Sequence, residues 1–227
     1  MGERSMVFPS RFFSIVWLAA CGSVCGISQA PAPVTAPAPN SIPAAAPAVQ
    51  PGEMAPGIAM IQNLLASLGK FEQDGRPAGR KLGFEIPETA LNEYLAYTLR
   101  NRPRPGIGSM TVTLLPKNQI SSDVEIDFDA VQKWNPGIFP EILRGLLTGK
   151  RTIHADLTFE VKNGFCSFEL KDAMGPDGKA MVNKIMSAVL QALGSRQPES
   201  YDTAKPIPLP FGLKRIWTGK QSIYGET

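Results

Sequence analysis

Histidine and cysteine are scarce in this chain of 227 residues, which contains one histidine and three cysteines. Two of the cysteines fall within the first 25 residues, so the region that can fold offers only His154 and Cys166 to zinc or disulfide chemistry. A structural zinc site takes about four such ligands. A lone cysteine has no intrachain partner, even in an oxidising compartment. We therefore expect no metal site of this kind, no disulfide within this region, and a fold stabilised by packing.

Sequence signatures of catalysis are missing as well. Neither Gly-x-Ser-x-Gly nor His-Glu-x-x-His occurs in the chain. The single histidine, His154, alternates onto the polar side of a predicted strand beside Asp156, which favours a solvated side chain. We expect a protein that is not an enzyme and has no cofactor. A hydrolase is the alternative, and it would need a nucleophile and a base that the sequence does not assemble.

Long apolar runs are also missing, and the longest uncharged apolar stretch, residues 12–27, is shorter than the roughly 20 residues that cross a bilayer. It follows Arg4 and Arg11 and contains Leu-Ala-Ala-Cys at 18–21. A basic head, a short apolar segment and small residues are typical of a secretory signal. Leu-Ala-Ala-Cys resembles the bacterial lipobox, whose cysteine is lipid-modified and becomes the mature N-terminus. We expect a signal peptide over residues 1–20 and an acylated, palmitate-type anchor at Cys21.

Two other interpretations of this segment stay open. An ordinary signal peptidase would find small residues before Ala30, although Pro31 directly after that position hinders cleavage. An uncleaved anchor is the third possibility. All three interpretations predict export. The lipobox interpretation, which we adopt, predicts a bacterial cell-envelope lipoprotein attached to a membrane on its periplasmic or outer-surface side.

Residues 31–57 are mostly proline and alanine, with Glu53 as the only charge. Such a composition favours extended polyproline-like chain of about 3.1 Å per residue, so this segment could span about 80 Å. We interpret residues 21–57 as a lipidated N-terminus and tether. Featureless disorder without a spacing role fits the composition equally well. Residues 58–227 are long enough for one domain with its own core.

Alternating apolar and polar residues predict strands in that domain. The pattern occurs at 110–114 and 120–128, separated by Pro-Lys-Asn at 116–118, and again at 153–161. Asn163-Gly164 then predicts a type I′ turn that returns the chain through residues 166–170. A last hairpin is expected around residues 218–220. The strands together predict an antiparallel sheet with one apolar face.

Helical spacing of apolar residues predicts three helices, over 58–68, from Pro87 to about residue 99, and over 179–193. The third has the broadest apolar face and includes Met181 and Ile185. The fold class we expect is α+β, with a curved, mainly antiparallel sheet packed on amphipathic helices.

Short motifs in this order resemble bacterial exported proteins related to tubular lipid-binding (TULIP-like) domains. They are Ile-Pro-Glu-Thr-Ala-Leu-Asn-Glu-Tyr-Leu at 86–95, a hairpin, Asn163-Gly164 before a strand, the helix from Lys179, and Leu-Pro-Phe-Gly-Leu at 209–213. The resemblance covers most of residues 80–224. It implies a strongly curved sheet around a long helix, with an apolar groove for acyl chains. The chain is shorter than the large lipid-transfer members.

The apolar sheet face must be covered, because large exposed apolar patches are rare on soluble monomers. Either helices fill the space or a ligand does. Each buried methylene contributes about 0.8 kcal/mol, so even a half-covered groove would retain a lipid. The candidate ligand-binding residues are Phe128, Leu157, Phe159, Phe168, Met181 and Ile185.

Two charged clusters are further candidates. Arg100, Arg102 and Arg104 follow the second predicted helix and could meet anionic headgroups, or they could complement the negative end of that helix. Acidic residues at 123, 125, 127 and 129 alternate on one strand and could gather a cation, but a solvated face is the simpler interpretation because the calcium-loop pattern is missing. With a net charge of +3 and no aromatics among the basic residues, no nucleic-acid partner is expected.

These observations predict a membrane-anchored envelope protein that binds or presents an apolar, lipid-like ligand without catalysis. An envelope scaffold with a filled core and a protein partner is the alternative. The membrane, through Cys21, is the partner expected in both cases.

Overall fold

Two amphipathic helices open the folded region in the computed structural model, which describes residues 54–77, 79–103, 106–134, 147–174 and 205–227. Helix α1 is Pro56–Gln73 and helix α2 is Glu88–Asn101. Proline at the first position of α1 suits a helix start, where no backbone hydrogen bond is lost. Helix α1 therefore begins two residues inside the segment predicted as tether. The apolar stripes that predicted both helices are buried or half-buried.

A curled, antiparallel five-stranded half-barrel is the centre of the fold, and the predicted α+β class is confirmed. Its strands, in the order β2-β3-β4-β5-β6, are Ile107–Leu115, Gln119–Asp127, Lys150–Lys162, Phe165–Met174 and Ile207–Pro208. Both predicted turns are present. Lys117 and Asn118 adopt left-handed backbone angles in the first, and Asn163 and Gly164 adopt them in the second. These angles match the twist of a tight hairpin.

A separate three-stranded sheet, in the order β1-β8-β7, lies beside the half-barrel. Strand β1 is Gly83–Pro87, β7 is Arg215–Thr218 and β8 is Ser222–Glu226. The last predicted hairpin is thus confirmed, but it pairs with β1 instead of extending the larger sheet. Strand β1 was not predicted, because five residues that include a glycine and a proline carry little strand signal.

Polar side chains of α2 close the free edge of the half-barrel. The Asn92 amide donates to the Val112 carbonyl oxygen and accepts from the Val112 N–H, each at 2.8 Å. Glu88 accepts from the Leu114 N–H at 2.6 Å. An open strand edge is a template for pairing with other chains, and these bonds satisfy it within the fold. Residues of the motif at 86–95 therefore attach α2 to the edge strand.

Helix α1 is attached to α2 by the same motif. The Gly57 N–H, at the free N-terminus of α1, donates to the Glu93 carboxylate at 3.0 Å. A carboxylate there also complements the positive end of the helix dipole. The helices approach so closely that a Cβ atom at Gly57 would lie 2.6 Å from the Ala90 Cα. This position in the fold therefore requires glycine.

One sequence prediction, the end of strand β3, needs correction, and another falls outside the described residues. Strand β3 ends at Asp127, so Phe128 and Asp129 belong to a short helix α3, Phe128–Trp134, and not to the strand. The Asp127 carboxylate accepts from the Ala130 N–H at 2.9 Å and caps α3, which ends the strand alternation. The predicted helix 179–193 lies outside the described residues. No helix in the described ranges is long and apolar enough to span a membrane.

Candidate functional site

The concave face of the half-barrel contains the predicted apolar site, and its middle is filled by protein. Leu157 and Phe159 are 4% and 7% exposed and belong to one core cluster with Leu91, Leu95 and Leu99 of α2. Other parts of the core therefore cover the centre of the sheet. A ligand cannot contact these two candidates without displacing protein.

Phe128 is another candidate ligand-binding residue, and the structure places it outside the sheet. Its side chain is 3% exposed and starts helix α3. It was assigned to the apolar strand face because it continues the alternation of Val124 and Ile126. Its burial is consistent with a packing role beside the half-barrel.

The β5 margin, defined here as Phe168 and Leu170 of β5 with Val161 of the adjacent strand β4, is a half-buried part of the concave face. Phe168 lies opposite Phe159 in the sheet, with ring centroids 6.2 Å apart, and Leu170 lies opposite Leu157. Strand β6 pairs only with Phe165 and Cys166, so it does not extend along this margin. Apolar surface is thus available here, next to a filled core.

The remaining predicted site residues divide into two groups. Arg100 and Arg102 are exposed, and Arg100 donates through Nε to the Ala96 carbonyl oxygen at 3.4 Å. That contact matches the helix-end interpretation of the arginine cluster. The other group lies outside the described residues and comprises Cys21, Arg104, Met181 and Ile185. Export and acylation at Cys21 stay predictions.

The convex face brings together Ser121, His154 and Asp123. Residues 121 and 123 share a face of β3, and Asp123 is directly opposite His154 of β4. Ser121 Oγ lies 3.2 Å from His154 Nε2, and His154 Nδ1 lies 2.9 Å from the Asp123 carboxylate. Sequence alternation placed Asp123 and His154 on polar faces, but Ser121 was not singled out and the pairing of β3 with β4 was not predicted. No sequence signal therefore pointed to this cluster.

The surroundings of His154 favour an ion pair over catalysis. Asp156 lies 3.4 Å from Nε2, on the other side of the ring from Asp123. The hydrogen bond to Asp123 raises the pKa of His154, whereas desolvation lowers it. The charges of both carboxylates raise the pKa further, so the net change is upward. Each ring nitrogen of His154 therefore has a carboxylate oxygen as a neighbour.

The described ranges give little structural support for a metal site or for a reactive thiol. Within the described ranges, no group of three or more His, Cys, Asp or Glu side chains is arranged to hold a metal ion. Two of the four alternating acidic residues bind backbone instead: Asp127 caps α3, and Asp129 accepts from the Gly149 N–H at 3.1 Å. Burial raises the pKa of the Cys166 thiol to about 12, which keeps it protonated and unreactive.

Comparison of the chain with protein-family models, with curated proteins and with solved structures gave no match.

Proposed function

We propose that this chain is a non-enzymatic protein of the bacterial cell envelope that binds or presents an apolar, lipid-like ligand at the β5 margin. The observation that carries the proposal is the half-buried row of Phe168 and Leu170 on the concave face, adjacent to the buried pair Phe159 and Leu157. A ligand placed there adds to an existing apolar surface and does not have to displace buried core residues.

The size of the expected effect follows from the hydrophobic effect. Burying each methylene of an acyl chain contributes about 0.8 kcal/mol, so four or five methylenes along the margin supply roughly 3 to 4 kcal/mol. That corresponds to a dissociation constant of about 1 to 6 mM before any headgroup contact. The proposal agrees with the acyl-chain groove implied by the resemblance, but it restricts the ligand to the margin.

A fluorescent fatty acid titrated into the full chain tests this site. Phe168→Gln removes the central apolar side chain of the margin, and we expect its binding to fall about tenfold or more. Phe165→Gln is the matched control, because Phe165 is on the same strand, is 47% exposed, and points to the convex face. Equal binding by both variants would contradict the proposal. Circular dichroism on both variants separates loss of binding from loss of fold.

A second candidate function is an envelope scaffold whose core is filled and whose surface binds another protein. The burial of Phe128, Leu157 and Phe159 favours it, because three of the six residues expected to bind ligand already contact protein. The same titration distinguishes the two functions. A scaffold takes up no fatty acid, with or without Phe168.

A further inference from the structure

We propose that one end of the molecule is a contact surface for an anionic lipid bilayer. This two-turn surface consists of Leu115 and Lys117 at the β2–β3 turn and Trp217 and Lys220 at the β7–β8 turn. All four residues are exposed. Trp217 is 36% and Leu115 is 38% exposed, which makes them two of the few large apolar side chains that the described part of the protein leaves in contact with solvent.

The two turns form one rigid unit. Thr218 donates through Oγ1 to the Leu115 carbonyl oxygen at 2.6 Å, and its N–H donates to the Asn118 side chain at 3.0 Å. The Gln221 N–H donates to the Leu114 carbonyl oxygen at 3.2 Å. These bonds join a turn of the half-barrel to a turn of the small sheet. The exposed side chains at both turns are therefore held at fixed relative positions.

Aromatic rings extend this surface along β7 and β8. Trp217 stacks on Tyr224 with ring centroids 5.6 Å apart and an angle of 13° between the rings. The Arg215 guanidinium lies 5.4 Å from the centre of the Trp217 ring. Amphipathic aromatics with one polar end are enriched where protein meets the membrane–water interface, and arginine keeps its charge in the headgroup region while its stem covers apolar surface.

Charge decides the kind of partner. Arg215 is paired with Glu226 and Tyr224 donates to Glu85, so the nearby carboxylates are already engaged. Lys117 and Lys220 have no ion pair with any described residue. Two free ammonium groups on the same two turns as exposed tryptophan and leucine match a surface of anionic headgroups over apolar chains. An acidic protein would match the lysines but not the exposed apolar side chains.

Vesicle binding of the expected mature chain, residues 21–227 with Cys21→Ala to prevent acylation, tests the proposal without the apolar signal segment. We expect binding to phosphatidylglycerol vesicles and little binding to phosphatidylcholine vesicles. Lys117→Glu with Lys220→Glu should weaken it at least about tenfold, since each basic residue near such a surface contributes roughly a fivefold factor. The matched control is Lys81→Glu with Lys150→Glu. It changes the net charge equally, but it lies where β1 and β4 begin, away from both turns.

Trp217 supplies a second measurement that does not depend on the lysine variants. Brominated lipid should quench the Trp217 fluorescence of a variant in which the other two tryptophans are replaced by phenylalanine. Equal weakening by the two charge variants, equal binding to neutral vesicles, or an unquenched Trp217 would each overturn the proposal. Binding to acidic proteins but not to the anionic vesicles would also overturn it.

Discussion

Asn92 should be one of the most sensitive polar positions in the protein, because its side chain forms both hydrogen bonds that close the edge strand at Val112. Each bond contributes about 1 kcal/mol, and leaving a buried partner unsatisfied adds about 1 kcal/mol or more. Val112 is 1% exposed, so water does not replace the lost bonds easily. We expect Asn92→Ala to lower the free energy of unfolding by about 2 to 4 kcal/mol.

Urea unfolding of the full chain, followed by circular dichroism, measures this change. The midpoint should fall by about 1 to 2 M, given a slope of roughly 2 kcal/mol per molar for a domain of this size. Asn63→Ala is the matched control, since Asn63 is an exposed asparagine on helix α1. It should change the stability by less than about 0.5 kcal/mol. If Asn92→Ala were no more destabilising than Asn63→Ala, the edge-closure argument would be refuted.

Three further predictions concern a helix contact, the histidine and the buried thiol. Gly57→Ala should lower the free energy of unfolding in urea by about 1 to 3 kcal/mol, because its Cβ meets Ala90. Gly69→Ala, with open space around it, should raise that free energy by up to about 1 kcal/mol. A change of the same sign in both variants would contradict this prediction. Asp123→Asn should lower the pKa of His154, followed by NMR of the chain's single imidazole, and an unchanged pKa would show that the hydrogen bond is not its cause. A thiol reagent should leave Cys166 unmodified until the protein unfolds, and fast labelling of the folded protein would contradict its burial.

The sign of the histidine effect on stability follows from its raised pKa. A group whose folded pKa exceeds its unfolded value of about 6.5 stabilises fully below that value. The stabilisation is lost as pH rises through the folded pKa. His154 and Asp123 are both partly exposed, so the effect should stay under about 1 kcal/mol. The stability difference between the native chain and His154→Gln should therefore be measurable at pH 5 and absent at pH 9.

Local patterns predicted those parts of the fold whose partners are close in sequence. Residues 153–161 alternate cleanly, and Asn163-Gly164 has the backbone freedom that a tight turn requires, so the β4–β5 hairpin could be derived from about 25 residues. The helices α1 and α2 were also predictable, because their apolar stripes are long and regular.

Long-range pairing was not predictable from such patterns. Strand β1 pairs with β8 at the other end of the chain, with Gly83 opposite Glu226, and no local signal links the two. The same reason explains the convex cluster, where the β3–β4 register alone brings Asp123 to His154. The end of β3 was visible in principle, because Asp127 is a good helix cap, but continued alternation to Phe128 concealed it.

The predicted ligand-binding residues show that sequence alternation alone cannot identify which side chains of a sheet face remain accessible to a ligand. Alternation identifies which side chains share a face, and it did so for Leu157, Phe159 and Phe168. It does not say which of them the rest of the protein covers. Burial of Leu157 and Phe159 in the core, with Phe168 only half-buried, divides the predicted site into a filled centre and an open margin.

The most direct test of the proposed function is native mass spectrometry, with organic extraction, of the full chain purified from a bacterial envelope without added detergent. The account predicts an adduct that extracts as a lipid, is present after purification or forms when lipid is added, persists in Phe165→Gln and is lost in Phe168→Gln. A clean mass without adduct, in a protein that also takes up no added lipid, would contradict the account and leave the filled scaffold as the better description.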